Sequence, residues 1–305
     1  MGPWASGRRT RIRAGVSPAE IRSVLERHGL RPRKDLGQNF LADARVAEKL
    51  VTQSGVGASD FVLEIGCGLG VLTRALAARA RRVTAVEVDA GLVRAVRAEG
   101  ALPAGAELVH GDALLVDLRA LLAAEPAPRR VVANLPYVVS SPLLRRLLDL
   151  RDLLAGWGVM LQREVAARLV APVGSRDYGS LTVLHRLTTR VSRAQDVSPQ
   201  CFWPMPQVVS SFLRIEPLAE APDTAELARV ERVARDGFAH RRKTLWNSFR
   251  DAAAARGAPP DATAAALARA LAAAGVAPDV RAESVEPEAW LALARALPEA
   301  HDGAA

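Results

Sequence analysis

The segment Asn134-Leu135-Pro136-Tyr137 has the residue types needed to methylate a planar exocyclic amine, such as the amino group of adenine. That nitrogen is a poor nucleophile because its lone pair is delocalised into the ring. The Asn carbonyl and a backbone carbonyl can each accept one amino hydrogen, which frees the lone pair. Proline fixes the backbone, and tyrosine offers a face for base stacking. The alternative is an ordinary turn after a buried strand.

Three glycines and two carboxylates form a second pattern, typical of a site for a nucleotide-like cofactor. Gly66, Gly68 and Gly70 follow an apolar run, and they allow a tight turn with a close approach of the backbone to a ligand. Glu87 follows at the spacing expected of a carboxylate that accepts the ribose hydroxyls. Asp112 follows the next apolar run and can accept a hydrogen bond from an adenine amino group. Helix capping is the alternative role for both carboxylates.

The spacing of the glycines favours S-adenosylmethionine over NAD. An NAD-binding loop has the pattern G-x-G-x-x-G, whereas residues 66–70 read G-x-G-x-G. Glu64, two residues before the first glycine, also suits a sulfonium cofactor, because its carboxylate can orient the loop or lie near the cofactor's ammonium group. A sulfonium donor carries its own leaving group, so we expect no metal at this site.

Short apolar runs alternate with helical segments along the first two thirds of the chain. The runs predict strands at residues 61–65, 83–87, 107–110, 131–133 and 158–161. Such alternation predicts an α/β fold with a parallel sheet covered by helices on both faces. Right-handed crossovers then bring the loops that carry the candidate residues to one edge of the sheet.

The pattern divides the chain into three parts. Residues 1–16 are predicted to be a disordered basic extension. Residues 17–217 are predicted to form the Rossmann-like domain, which begins with a capping box at Ser17 and Glu20. Residues 218–305 show only helical periodicity, and they are predicted to form a small all-helical domain.

Composition and charge limit the class of protein. The chain is 50% hydrophobic and 24% charged, which is typical of a globular protein. Its net charge of +8 favours polyanionic partners, although the bias toward arginine and alanine weakens this indication. Cys67 and Cys201 form neither a disulfide framework nor a metal-ligand pattern. Without an apolar run that could span a bilayer or serve as a secretory signal, we expect a cytoplasmic enzyme with no membrane contact.

Five ordered motifs carry a family resemblance across most of the chain. They are Gly37-Gln38-Asn39-Phe40-Leu41, Glu64-Ile65-Gly66-Cys67-Gly68-Leu69-Gly70, Asn134-Leu135-Pro136-Tyr137, Phe202-Trp203-Pro204-Met205-Pro206-Gln207-Val208-Val209-Ser210 and Arg241-Arg242-Lys243-Thr244-Leu245. The chain resembles the ribosomal RNA adenine N6-dimethyltransferases, and most closely their bacterial small-subunit (16S) members. The resemblance implies a Rossmann-like class I S-adenosylmethionine-dependent methyltransferase domain with a small C-terminal all-helical domain.

The resemblance also implies a substrate and a reaction. Methyl groups would pass from S-adenosylmethionine to N6 of two adjacent adenosines in the 3′-terminal hairpin loop of 16S rRNA, with dimethylation of each. The substrate would be the immature 30S subunit during its biogenesis, and we expect the enzyme to act as a monomer. Two alternatives stay open, namely a 23S rRNA adenine-N6 methyltransferase that confers macrolide resistance and a non-catalytic ribosome-assembly checkpoint factor.

Residue roles follow from the resemblance in the same way. The cofactor would be bound by six residues: Asn39, Leu41, Gly66, Glu87, Asp112 and Asn134. The catalytic segment would consist of Asn134, Leu135, Pro136 and Tyr137. Tyr137 would stack on the base and Phe202 would help wall its pocket, with plain core packing as the alternative for Phe202.

A basic cluster is the predicted contact with RNA. It consists of Arg241, Arg242 and Lys243, which we expect on a helix with Trp246 and Phe249 at helical spacing. The cations would bind phosphates while the aromatic residues pack inward. A solvated basic face over a packed aromatic one is the alternative.

Overall fold

The computed structural model describes residues 17–297, so the predicted disordered extension at residues 1–16 lies outside the described part of the chain. The chain forms two compact units. The first consists of Met1–Arg163 and Arg193–Ile215, and the second of Glu164–Ser192 and Glu216–Ala305. The helical unit therefore includes a segment from the middle of the chain. The predicted domain boundary at residue 217 stays a prediction.

Strands and helices alternate through most of the first unit. The strands of the described chain are β1 (Phe40–Leu41), β2 (Phe61–Ile65), β3 (Arg82–Glu87), β4 (Ala106–His110), β5 (Arg129–Asn134), β6 (Gly156–Gln162), β7 (Thr189–Val197), β8 (Phe202–Trp203) and β9 (Ser210–Pro217). The α-helices are α1 (Pro18–Arg27), α2 (Ala44–Gln53), α3 (Val71–Ala77), α4 (Ala90–Ala98), α5 (Leu118–Ala123), α6 (Ser140–Asp149), α7 (Arg163–Leu169), α8 (Ser180–Thr188), α9 (Thr224–Phe238), α10 (Leu245–Ala255), α11 (Pro260–Ala273) and α12 (Pro287–Ala296).

Short-range signals in the sequence begin several of these helices. Ser17 and Glu20 form the predicted capping box at the start of α1, with Pro18 at the first helical position. The carboxylates of Asp43 and Asp89 accept hydrogen bonds from the first backbone N–H groups of α2 and α4. These side chains satisfy donors that a helix leaves without intrahelical partners, so the helix starts are fixed locally.

Seven strands form the central sheet, in the order β4-β3-β2-β5-β6-β9-β7. The pairs among β4, β3, β2, β5 and β6 are all parallel, as predicted. Strand β9 adds antiparallel to β6, with Met160 opposite Phe212, so the prediction of a purely parallel sheet was incomplete. Strand β7 could not be recognised from hydrophobic periodicity, because most of its residues are polar and exposed.

The strand order reverses direction between β2 and β5. From β2 the chain moves outward through β3 to β4, and it then returns to pair β5 with the other side of β2. Right-handed crossovers in opposite directions put helices on both faces of a sheet and leave a crevice at the carboxyl ends of the two central strands. Since β2 ends at Ile65 and β5 at Asn134, this crevice lies between the glycine loop and the Asn134 segment.

One large apolar cluster holds the first unit together. It joins β2, β5, β6 and β9, through Val62, Val132, Met160 and Phe212, to helices α1–α4. The antiparallel pair of β1 and β8 contributes Phe40 and Phe202 to the same cluster. The cluster therefore fixes β1, which precedes the Rossmann-like strands in the chain, close to the glycine loop.

The second unit is helical around a buried tryptophan, Trp290 on α12. Phe238 stacks on it with ring centroids 5.2 Å apart, and Phe249 meets it edge-on at 6.4 Å. Gly237 makes this packing possible, because a Cβ there would lie 2.4 Å from the indole ring. The predicted helical C-terminal region is thereby confirmed, and in the described part of the chain no helix is long and apolar enough to cross a membrane.

Candidate active site

A cavity opens at the carboxyl ends of β2, β3, β4 and β5, inside the first unit. The cavity has a volume of about 970 Å³, which includes the solvent at its open side. All nine predicted cofactor and catalytic residues line it: Asn39, Leu41, Gly66, Glu87, Asp112, Asn134, Leu135, Pro136 and Tyr137. The fold therefore brings the predicted cofactor and catalytic residues of this unit together.

The glycine loop forms the floor of the cavity. Gly66 and Gly68 have φ values of +76° and +55°, a left-handed conformation that only glycine adopts without strain. The Gly66 N–H donates to the Val86 carbonyl at 2.8 Å, which ties the loop to β3. A Cβ on Gly68 would lie 2.9 Å from the Phe40 ring, so the loop passes directly under β1.

Glu87, at the end of β3, is held in place by backbone amides. Its Oε2 accepts from Gly68 N–H at 2.9 Å, and its Oε1 accepts from Asp89 N–H at 3.0 Å. Burial raises the pKa of this carboxyl, while the same backbone hydrogen bonds oppose the rise. Each carboxylate oxygen has a further lone pair, so Glu87 can still accept two hydroxyl hydrogens from the cavity.

Glu64 lies under the cavity floor with no exposed surface. Neither of its oxygens has a hydrogen-bond partner within the described residues, nor does the neighbouring Thr73 hydroxyl. Burial raises the pKa of Glu64 to about 8; the charge of Glu87 adds to the rise, while the charge of Arg74 opposes it. The side chain is therefore a buried, neutral acid below that pH.

Asp112 begins the turn after β4. Its Oδ1 accepts from Leu114 N–H at 2.8 Å, which shapes the turn as an Asx cap would. Its Oδ2 has no hydrogen-bond partner among residues 17–297 and remains available to the cavity. Val88 and Ala113 line the wall beside it, and they give that end of the cavity an apolar surface suited to a base.

The amide of Asn134 is oriented by the loop that precedes the Rossmann-like strands. Its Nδ2 donates to the Asn39 carbonyl at 3.1 Å. Asn39 in turn donates from its own Nδ2 to the Gly37 carbonyl at 3.2 Å. Within residues 17–297 no donor reaches Oδ1, so this end of the Asn134 amide can accept a hydrogen bond from the cavity.

Tyr137 is anchored at both ends. Its hydroxyl lies 2.9 Å from the Ser210 hydroxyl on β9, and its carbonyl accepts from the Ser140 hydroxyl at 3.1 Å. Burial raises the pKa of the Tyr137 phenol, so the side chain is neutral at physiological pH. Leu135 contributes packing, because it is buried and its N–H donates to the Met160 carbonyl at 3.2 Å.

Phe202 and Leu41 face each other across the antiparallel pair of β8 and β1. Leu41 lines the cavity, whereas Phe202 is 2% exposed, lies in the apolar cluster and is not part of the cavity lining. The observed position of Phe202 is that of a packing residue behind β1. Its role in a base pocket stays a prediction.

The basic cluster of Arg241, Arg242 and Lys243 is exposed and lies in the second unit. The expectation that it lies on a helix was wrong: it occupies the turn between α9 and α10. The reason is local, because Thr244 caps α10 through a hydrogen bond from Asn247 N–H, and the helix starts only after the cluster. Lys243 pairs with Asp251 at 2.5 Å.

Several cavity residues were not singled out from the sequence. Gln38 is the most informative, since its Nε2 donates to Asp89 at 2.9 Å and its Oε1 accepts from Arg33 N–H at 2.8 Å. It thereby ties the loop before β1 to the start of α4. Its place between Gly37 and Asn39 in the first motif was the available signal.

Comparison with known proteins identifies the family. The model described as ribosomal RNA adenine dimethylase matches residues 29–296. Ribosomal RNA small subunit methyltransferase A of Geobacter metallireducens is 41% identical over 272 residues, 88% of this chain and 96% of the relative. The protein of the same name from Deinococcus radiodurans is 41% identical and covers 92% of this chain and 91% of its own length. The chain belongs to the ribosomal RNA adenine dimethylase family.

Solved structures agree with the family membership. A dimethyladenosine transferase from Plasmodium falciparum superposes with a TM-score of 0.65 at 25% identity, over 82% of this chain and 94% of that one. The 23S rRNA methyltransferase ErmE superposes with a TM-score of 0.59 at 28% identity, over 85% of this chain and 99% of that one. The predicted Rossmann-like methyltransferase fold is therefore confirmed.

Membership of the ribosomal RNA adenine dimethylase family makes the chain an S-adenosylmethionine-dependent rRNA adenine dimethyltransferase. The residues present fit that cofactor. The glycine floor leaves room for a closely held ligand, Glu87 offers two acceptors for paired hydroxyls, and Asp112 offers one for an amine beside an apolar wall.

Proposed function

We propose that the protein transfers methyl groups from S-adenosylmethionine to N6 of two adjacent adenosines in the 3′-terminal hairpin loop of 16S rRNA. Each adenosine is dimethylated, and the substrate is the immature 30S subunit during its biogenesis. The relatives named as small subunit methyltransferases, at 41% identity over most of both chains, support the choice of the small subunit.

The orientation of the Asn134 amide is the observation that carries the proposal. Because Nδ2 donates to the Asn39 carbonyl, Oδ1 is the end that can receive a hydrogen from the target amine. The carbonyl of Leu135 or Pro136 can take the second hydrogen, since proline contributes a carbonyl but no competing N–H. Two acceptors draw the nitrogen toward tetrahedral geometry and free its lone pair for attack.

Tyr137 supports the target base from one face. Its tether to Ser210 holds the ring in one orientation, so little side-chain entropy is lost when a base stacks on it. Removing a base from its stack costs a few kcal/mol, and stacking on an aromatic ring returns about 1–3 kcal/mol. A loop adenosine, which is already partly unstacked, is therefore favoured as the substrate.

The cofactor occupies the opposite side of the cavity in this proposal. Glu87 holds the ribose hydroxyls, Asp112 accepts from the adenine amine, and Asn39, Leu41 and Gly66 enclose the methionine part. When bound, S-adenosylmethionine would supply an activated methyl group together with its leaving group, and the methylated nitrogen would release its proton to solvent. The protein's contribution is to align the two reactants and polarise the amine.

Contact with the ribosomal particle involves the basic cluster. Arg241, Arg242 and Lys243 are exposed on one turn of the helical unit, where phosphates can approach them. Arg31, Arg33 and Lys34, in the loop before β1, bring further positive charge near the cavity, although Arg33 pairs with Asp35 at 2.5 Å. We propose that the protein acts on the particle as a monomer.

The decisive experiment is methyl transfer from labelled S-adenosylmethionine to 30S particles that lack these methyl groups, followed by mapping of the modified bases. We expect dimethylation of two adjacent adenosines in the 3′-terminal hairpin of 16S rRNA. Preferential methylation of free 23S rRNA would select the alternative of a 23S enzyme, to which the likeness to ErmE gives some weight. Binding to particles without any methyl transfer would select a checkpoint factor.

A further inference from the structure

Arg146 connects helix α6 to the turn that carries Asp112. It is half-buried, and its guanidinium donates from Nη1 to the Leu114 carbonyl at 2.5 Å and from Nη2 to the Val116 carbonyl at 2.6 Å. A guanidinium presents its donors in a rigid fork, which suits two carbonyls two residues apart. Both acceptors are backbone atoms, so Arg146 acts on the position of the chain and not on a ligand.

Backbone N–H groups of the same turn donate hydrogen bonds to Asp112. Leu114 N–H donates to the Asp112 carboxylate, and the N–H groups of Leu115 and Val116 both donate to the Asp112 carbonyl at 2.8 Å. Asp112 and Arg146 therefore hold opposite polar groups of one short segment, the N–H groups and the carbonyls respectively. Loss of the Arg146 bonds would leave the Leu114 carbonyl without this donor, while the Val116 carbonyl would keep only the Leu118 N–H at 2.8 Å.

The turn also packs on the strand ends that border the cavity. A Cβ on Gly111 would lie 2.4 Å from the Val116 side chain, so Val116 sits directly on the Gly111 backbone. Gly111 N–H donates to the Glu87 carbonyl at 2.9 Å, which joins this turn to the end of β3. A shift of Val116 is thus transmitted to the two carboxylates at this edge.

Helix α6 is itself part of the cavity wall. Its residue Leu143 lines the cavity, as does Val139 just before the helix, and Leu143 lies three residues before Arg146. Residues three apart share one side of a helix. One turn of α6 therefore contacts the cavity, and the next turn holds the Asp112 segment.

We propose that Arg146 is a positioning residue for cofactor recognition, which fixes the Asp112 turn against α6 and so sets the affinity and the adenine selectivity of the site. The proposal rests on the proposed role of Asp112 as the acceptor of the adenine amine. It predicts that Arg146 affects binding of the cofactor more than the turnover of the bound complex.

The test compares calorimetric binding of S-adenosylhomocysteine and of its inosine analogue, in which a ring carbonyl replaces the exocyclic amine. We expect Arg146→Met to weaken binding of the adenine compound about tenfold, equivalent to about 1.4 kcal/mol, and binding of the inosine compound much less. Arg146→Lys should fall between wild type and Arg146→Met, because one ammonium can reach one of the two carbonyls. The matched control is Arg145→Met, since Arg145 pairs with Asp149 within α6.

Two further measurements separate the possible failures. Asp112→Ala should abolish the preference for adenine; if it does not, the proposed role of Asp112 is wrong. Hydrogen exchange at the amides of residues 114–116 tests Arg146 independently, and we expect faster exchange in Arg146→Lys and Arg146→Met than in Arg145→Met. Unchanged exchange, or equal weakening of both ligands by Arg146→Met, would overturn the positioning role.

Discussion

At the scale of single residues, the site depends on polar side chains whose one end is fixed by the backbone and whose other end is free. Asn134 donates to the Asn39 carbonyl and keeps its acceptor available. Glu87 accepts from two backbone amides and keeps further lone pairs. Such pre-orientation matters because a catalytic group that is already in place requires little reorganisation in the transition state.

Replacement of Asn134 by alanine tests the polarising role. We expect Asn134→Ala to lower kcat by about 100-fold or more, which is the range found when a single transition-state hydrogen bond is removed. Affinity for S-adenosylhomocysteine should fall much less, and the variant should still bind 30S particles. Single-turnover methyl transfer and calorimetry measure the two quantities, and a kcat within a few-fold of wild type would contradict the role.

Glu64 makes the free energy of unfolding of the ligand-free protein depend on pH. Its pKa is about 8 in the folded chain against 4.5 as the ordinary value, so between these limits the folded state holds a proton that the unfolded state has lost. The contribution of Glu64 to the free energy of unfolding is therefore fully present below pH 4.5, and it declines as the pH rises from 4.5 to about 8. The loss is about 1.4 kcal/mol for each pH unit in this range.

The isosteric variant Glu64→Gln cannot ionise and serves as the reference. We expect urea unfolding of wild type to show a free energy that falls between pH 6 and pH 8 relative to that of Glu64→Gln. The comparison removes the contributions of other titrating groups, which both proteins share. Parallel pH profiles for the two proteins would show that Glu64 is not held neutral.

At the scale of elements, the site is formed by close contact between segments far apart in the chain. The glycine loop after β2 lies under Phe40 of β1, and β1 is held in turn by its pairing with β8. The proposed catalytic segment after β5 is attached to β9 through Tyr137 and Ser210. The addition of even one methyl group at such a contact must displace one of the two packed segments.

Gly68→Ala tests the contact between the glycine loop and β1. The new Cβ would lie 2.9 Å from the Phe40 ring, at a residue whose φ is already +55°. We expect a loss of stability greater than the roughly 1 kcal/mol of backbone strain alone, together with weaker binding of S-adenosylhomocysteine. Thermal unfolding and calorimetry provide the measurements.

Gly29→Ala is the matched control for that variant. Gly29 has a similar φ of +63°, but a Cβ there would meet no atom within 4 Å. It should therefore show the backbone strain without any change in ligand binding. Equal behaviour of the two alanine variants would mean that contact with Phe40 is unimportant.

At the scale of the whole molecule, the proposed catalytic groups and the proposed RNA contacts belong to different compact units. The cavity lies in the first unit, whereas Arg241, Arg242 and Lys243 lie in the helical unit. Charges that contact phosphate contribute affinity without reading sequence. Binding of the particle and methyl transfer can therefore be impaired separately.

Reversal of Arg241, Arg242 and Lys243 to glutamate should weaken binding to 30S particles. The slope of log affinity against log salt should become shallower by about 0.7–0.9 for each phosphate that the protein no longer neutralises. Binding of S-adenosylhomocysteine should not change. The control reverses three exposed cations of the first unit, Arg45, Lys49 and Arg94, which alters net charge equally. If both triple variants bind 30S particles equally weakly, the effect comes from net charge and not from contacts made by Arg241, Arg242 and Lys243.

Much of the architecture was predictable, because it depends on short-range patterns. The strands from β2 to β6 were recognised from apolar runs between helical segments, and Ser17 and Glu20 marked the start of α1. Strand β7 was not assigned, since a polar edge strand lacks the periodicity that would reveal it. Strand β9 was not assigned either, although it is largely buried and lies between β6 and β7. The basic cluster was wrongly put on a helix, because the cap at Thr244 competes with helical continuity.

The sequence by itself determined which chemical groups stand at the ends of the strands, since glycine freedom, capping and apolar periodicity act over a few residues. Only the tertiary structure decided what each group faces. Asn134 meets a carbonyl 95 positions earlier, and Tyr137 meets a hydroxyl 73 positions later. Glu64 has no local feature that predicts its neutral form, because complete burial arises only when distant strands and helices pack around it.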